Sequence, residues 1–150
     1  SKLTKDDKVE LQSSDFGTKD DPKVKYVDDS AASDGKVIMT SGDHTEWVIN
    51  TAVKNEYFGK WHCKAYLRVD ATTSEGSALQ LGIYDPVLSY EVLVTRQIPV
   101  SECSGKKYAE IDLGTHDLRP GMYFWFAPVN RPKDVQAIYI DRIVMERVKE

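Results

Sequence analysis

The longest clean alternation in the chain, Lys60 to Ala71 (KWHCKAYLRVDA), reads as a two-faced β-strand. Successive strand side chains point to opposite faces, so Trp61, Cys63, Ala65, Leu67 and Val69 form an apolar row, and His62, Lys64, Tyr66, Arg68 and Asp70 form a polar one. The apolar row belongs to a core. The polar row consists of long or aromatic side chains that could hydrogen-bond and stack on something flat, where a solvated face more often carries Thr, Ser, Lys and Glu.

The same grammar runs through the rest of the chain. Short strands are expected at Val9 to Leu11, Val24 to Val27, Val37 to Thr40 and Glu46 to Ala52, separated by turn-rich segments such as DDSAASDGK and Ser41-Gly42-Asp43. Beyond the organising strand, Ser77 to Tyr84 alternates Leu79, Leu81 and Ile83 against Ala78, Gln80, Gly82 and Tyr84. Tyr90 to Ile98 and Tyr108 to Leu113 follow, and Leu118-Arg119-Pro120-Gly121 marks a turn. Met122 to Ala127 alternates Met122, Phe124 and Phe126 with Tyr123, Trp125 and Ala127, and Val135 to Val148 closes the chain. About nine strands and no defensible 3.6-residue period predict an all-β fold, a two-sheet jelly-roll or Greek-key β-sandwich.

A chain of 150 residues, 41% of them hydrophobic, buries one core, so residues 1–150 are expected to form a single domain with Ser1 to Lys8 frayed. The net charge of -4 argues against nucleic acid or an anionic membrane as main partner. No apolar run approaches the roughly 20 residues of a membrane span, and the absence of a secretory signal reads as a mature or excised segment. Cys63 and Cys103 leave two readings open, one disulfide or two free thiols. Three scattered histidines, His44, His62 and His116, and the lack of Gly-x-Ser-x-Gly, His-Glu-x-x-His or zinc-ligand spacing give no catalytic residues; the chain reads as a non-enzyme.

The stretch VDDSAASDGKVIMTSGDHTEWVI, then a strand ending in LRV, then GIYD, DLGTHDLRPGMYFWFAP and AIYIDRIVM together resemble the galactose-binding-like jelly roll of carbohydrate-binding modules. The resemblance covers the chain from about Val9 onward. It is nearest to β-sandwich domains attached to large bacterial glycosidase-like proteins and more distant from carbohydrate-binding module families 6, 35, 4 and 22. It implies secretion or display at a cell surface, an oligo- or polysaccharide partner, and a catalytic domain in the same parent protein. A structural calcium is also implied, tying the first strand, the Ser-Asp-Gly-Lys loop and the last strand together. Asp15, Asp29, Lys36 and Asp141 are the positions that match this site, with Asp28, Ser33 and Asp34 as further loop oxygens.

Sugar sites pair aromatic planes with planar polar groups. On that basis the candidate ligand-binding residues are Lys64, Tyr66, Arg68, Gln80, Tyr84, Tyr123 and Trp125, which form one concave platform if their strands share a sheet. In the alternative both faces are buried and Tyr123 and Trp125 are core aromatics. Trp47 and Trp61 are assigned to the core. A second candidate site, in the edge loops, comprises Asp43, His44, Tyr57, Arg119, Asn130 and Arg131. Two functions follow: a non-catalytic module that holds an attached glycoside-degrading enzyme near its polysaccharide, or an architectural sandwich that packs on that enzyme and binds nothing soluble.

Overall fold

The computed structural model describes residues 7–18, 21–43, 45–54, 57 and 59–149. These form an all-β sandwich of two antiparallel sheets. The strands are β1 (Lys8–Gln12), β2 (Gly17–Thr18), β3 (Val24–Asp28), β4 (Lys36–Ser41), β5 (Ile49–Ala52), β6 (Gly59–Ala71), β7 (Ser77–Asp85), β8 (Tyr90–Pro99), β9 (Ala109–Leu118), β10 (Tyr123–Pro128) and β11 (Val135–Arg147). The only helical pieces among the described residues are a 3-10 turn at Ser13–Asp15 and α1 (Val100–Cys103). The first sheet has the order β3-β4-β11-β6-β9, with β1 also on β11; the second has the order β2-β5-β10-β7-β8.

β6 and β11, 13 residues each, form the spine of the first sheet. One edge of β11 pairs with β6, while the other serves two strands in turn, β4 at residues 137–140 and β1 at residues 142–146. The change of partner coincides with a register shift between Ile140 and Arg142, which leaves Asp141 as the extra residue of a bulge. The apolar row of β6 is fully buried, and it meets Leu79, Leu81 and Ile83 of β7 and Phe124 and Phe126 of β10 in one core. Each leucine, isoleucine, valine or phenylalanine among them stabilises the fold by roughly 1.5–3 kcal/mol on burial. Both cysteines are buried free thiols, and burial pushes each up to about 12.

β9 runs five residues past the predicted end at Leu113. Gly114, at φ +81°, takes up the register shift opposite Cys63 and Lys64, so pairing with β6 continues as far as Leu118, which the sequence assigns to the following turn.

Gly42 follows β4 and opens the segment that carries Asp43, Thr45 and Trp47. A β-carbon there would lie 1.9 Å from the Val135 carbonyl oxygen, a backbone atom with little freedom to retreat. Gly42→Ala is therefore expected to cost on the order of 1–2 kcal/mol, read as a lower urea midpoint at an unchanged slope. An unchanged midpoint would mean that this approach does not hold the segment in place.

Candidate functional site

The strands bearing the seven candidate ligand residues do not share a sheet. β6, with Lys64, Tyr66 and Arg68, lies in the first sheet, whereas β7 and β10, with Gln80, Tyr84, Tyr123 and Trp125, lie in the second. The expected single platform is thus two outer faces on opposite sides of the molecule, and they differ in kind.

On the first sheet the polar row is taken up by its neighbours. Arg68 is 9% exposed; its guanidinium lies 2.9 Å from both Asp29 and Asp70 and 3.8 Å above the centre of the Tyr139 ring. Tyr108 donates its hydroxyl hydrogen to Asp29 at 2.6 Å. Burial would raise the Asp29 carboxyl, but the Tyr108 hydroxyl, the Ala31 N–H and the Arg68 guanidinium together hold it below its ordinary value. Tyr66 donates to Glu110 and lies beneath Arg142, whose guanidinium carbon is 4.3 Å from the ring centre. Burial, then the bond to Glu110, pushes Tyr66 up to about 12. Lys64 pairs with Glu110 at 3.5 Å and His62 with Asp112 at 2.7 Å.

The outer face of the second sheet has a trough of about 210 Å³ lined by Thr45, Trp47, Gln80, Tyr84, Tyr123, Trp125 and Ala127. Its floor follows from the alternation of β7 and β10, whose apolar rows face the core and leave Gln80, Tyr84, Tyr123 and Trp125 half-buried on the far side. Trp125 pairs with Gly82, and a β-carbon at Gly82 would lie 2.6 Å from Trp125 Cζ2. The indole therefore rests on bare backbone, and its Nε1 points to Glu91 Oε2 at 3.5 Å. Tyr123 sits 5.6 Å from Tyr84 and 6.4 Å from Trp47, centre to centre, with rings tilted by 52° and 48°. Burial, then the proximity of Tyr84 and Glu91, raises Tyr123 above its ordinary value. Trp47 is a correction to the sequence reading: it is half-buried and forms a wall of the trough, while Trp61 is in the core as expected.

Of the described residues of the edge-loop set, Asp43 and Asn130 come together, while Tyr57, Arg119 and Arg131 are placed elsewhere. Asp43 and Asn130 line a cavity of about 280 Å³ with Asp21, Thr45, Glu46, Trp47 and Val48. Tyr57 is fully buried. Arg119 pairs with Asp85 at 2.7 Å, and Arg131 donates to the carbonyls of Ser77 and Glu75 and to Asp134. His44 lies outside the described residues. Sequence reasoning missed Thr45, Glu46 and Asp21, for which the only signal was a polar loop.

The four residues matched to a calcium site are engaged separately. Asp141 accepts from the Ser33 N–H and hydroxyl, both at 3.0 Å, across the gap between β4 and β1. Burial raises its carboxyl, and the Ser33 donors oppose the rise. Asp29 is held by Arg68 and Tyr108; Asp15 accepts from the Gln12 N–H at 3.0 Å; Lys36 is 3.4 Å from Asp28. No group of three His, Cys, Asp or Glu among the described residues could hold a metal. Three carboxylates met by separate N–H and O–H donors, and a lysine, do not fit together as the cage of six to eight oxygens that calcium takes. Chelation is expected to leave the melting temperature unchanged, because only a ligand bound to the native state stabilises it. A fall in melting temperature would show that the loop holds an ion after all.

The chain is a jelly-roll-type sandwich with one outer face occupied by its own ion pairs and an aromatic trough on the other. No protein-family model and no curated protein matches the sequence. Solved structures do match the fold. A family 35 carbohydrate binding module from Clostridium thermocellum superposes with a TM-score of 0.62 at 10% identity, over 94% of this chain and 98% of that one. The module CBM6cm-2 from Cellvibrio mixtus lichenase 5A, in complex with cellotriose, gives 0.57 at 12% identity over 94% and 98%. A Podospora anserina GH26-CBM35 β-(1,4)-mannanase gives 0.64 at 10% identity, over 97% of this chain and 29% of that one. Across the larger enzymes matched, this chain spans between 24% and 29% of their length.

Proposed function

We propose that the outer face of the second sheet binds an oligo- or polysaccharide, and that the chain serves as a non-catalytic module holding an attached glycoside-degrading enzyme at its substrate. The observation that carries this reading is the trough itself, lined by the rings of Trp47, Tyr84, Tyr123 and Trp125 together with Gln80. Aromatic faces take the C–H face of a pyranose, and an amide both donates to and accepts from neighbouring hydroxyls. The likeness in fold to carbohydrate-binding modules supports it, as does the occurrence of such sandwiches within larger glycosidases. Secretion or display at a cell surface accompanies this role, since the polysaccharide lies there. Local tethering raises the enzyme's effective concentration without any new catalytic group.

The test is tryptophan fluorescence titrated with cello-, xylo-, manno- and galacto-oligosaccharides. Saturable change with at least one series is expected, because two indoles line the trough.

One observation favours the architectural reading. Val87 and Leu88, 77% and 58% exposed, and Tyr90 crowd the β7–β8 turn, where Asp85, Val87, Leu88, Arg119 and Pro120 line a hollow of about 340 Å³. An apolar tip of this kind suits a neighbouring domain. If no series binds, that reading replaces the first.

A further inference from the structure

The trough on the second sheet joins aromatic rings to a carboxylate at its edge. Its described lining residues, Thr45, Trp47, Gln80, Tyr84, Tyr123, Trp125 and Ala127, carry no charge of their own. Glu91 stands beside them on β8, paired with Tyr84, and its Oε2 lies 3.5 Å from the Trp125 indole nitrogen. The same carboxylate is close enough to Tyr123 to help raise its hydroxyl. Among the described residues Glu91 has no ion-pair partner. Two basic side chains of this part of the fold are engaged elsewhere, Arg119 with Asp85 at 2.7 Å and Arg96 with the Asp112 carbonyl.

We propose that the trough selects glycans bearing free amino groups, with the ammonium of a hexosamine unit held by the aromatic faces and the Glu91 carboxylate together. The inference rests on the glycan-binding reading above and deepens it by naming the substrate class. The face of an aromatic ring is electronegative and attracts a cation placed against it, an indole most strongly. One face of the Trp125 ring rests on Gly82, so a pyranose can stack only on the other, and its ring substituents then project past the indole edge where Glu91 sits. An ammonium there donates charge-assisted hydrogen bonds to the carboxylate. A hydroxyl at the same ring position donates too, but it adds no ionic attraction. Stacking therefore serves both kinds of sugar, and the charge decides between them.

The experiment uses three β-1,4-linked series that differ only at the second carbon of each ring: cello-oligosaccharides with a hydroxyl, glucosamine oligosaccharides with an amine, and N-acetylglucosamine oligosaccharides with a neutral amide. Each is titrated into the intact chain, followed by tryptophan fluorescence, in mildly acidic buffer where the sugar amine carries its proton. At low salt the amine series is expected to bind at least about fivefold more tightly than the hydroxyl series. That ratio should fall toward one at high salt, because exposed charges are screened over roughly 10 Å at 0.1 M. Glu91→Gln should lower it as well, since glutamine keeps an oxygen for the indole N–H and loses only the charge. A ratio near one in the unaltered chain overturns the proposal, as does an amide series that binds as tightly as the amine series. A preference that survives Glu91→Gln also overturns it, because the attraction would then come from the net charge of -4 and not from this site. Cello-oligosaccharide binding without an amine preference sinks this inference and leaves the glycan reading standing. If none of the three series and no other glycan binds, both fall.

Discussion

Replacing Arg68 with methionine is expected to cost about 3 kcal/mol or more of folding stability, because it removes one partner of a buried ion pair and leaves the other charge behind. Methionine keeps most of the apolar stem that lies on Tyr139, so the loss isolates the guanidinium. Asp29, whose side chain is 14% exposed, would then sit between Tyr108 and the Ala31 N–H with no cation. Arg68→Met combined with Asp29→Asn should recover much of the loss, as removing both charges leaves no orphan. Acid supplies an independent check. The folded carboxyl of Asp29 is depressed below its ordinary value of 3.8, so the stability it contributes is fully present above that value and disappears as pH falls through the depressed one. The difference between wild type and Arg68→Met in urea melts should therefore shrink in acid. A single variant within 1 kcal/mol of wild type at neutral pH, on the scale of an ordinary surface pair, would show that the cluster is peripheral. Glycan affinity of the folded variant should not change, since the first sheet's outer face is occupied by its own ion pairs.

That occupancy explains where sequence reading stopped. Alternation alone assigned the inward rows of β6, β7 and β10, and all of their large apolar members are in the core. It also placed Tyr66, Arg68, Gln80, Tyr84, Tyr123 and Trp125 on outward rows. Which outward row stays open depends on what the neighbouring strands bring across, and this is set by pairings between residues far apart in sequence. Arg142 reaches Glu10 at a separation of 132 residues, and Asp141 reaches Ser33 at 108. Nothing local in KWHCKAYLRVDA indicates that Tyr139, Tyr108 and Asp29 will close around Arg68. Trp47 fails for a different reason. Its spacing from Ile49 places it on the core side of a strand, but β5 begins only at Ile49, and Val48 is the residue that turns inward. A period-two argument holds only within a strand. The opening of the second sheet had one local signal: Gly82, a residue strands disfavour, stands opposite the largest side chain of β10.

Trp125→Ala is expected to weaken glycan binding by about 2–3 kcal/mol, from roughly thirtyfold to more than a hundredfold, while the chain still melts cooperatively. The two effects separate because the indole lies outside the core: Phe124 and Phe126 on either side of it face inward and are 1% and 2% exposed, while Trp125 rests on the sheet's outer surface. Its removal costs stability only what a half-buried side chain contributes. Gly82→Val provides a second route to the same result. Its side chain would occupy the space where the indole now lies, since even a β-carbon comes within 2.6–2.8 Å of three ring atoms. The ring can swing away into solvent, so the strand survives and the platform does not. If the trough is the glycan site, both variants lose binding, and combining them adds little because they remove the same surface. Should Trp125→Ala unfold the chain, the residue is part of the packing and the trough is not a ligand surface. If Trp125→Ala loses binding and Gly82→Val keeps it, the indole acts through its edge and Glu91, and stacking on its face is the wrong account of recognition.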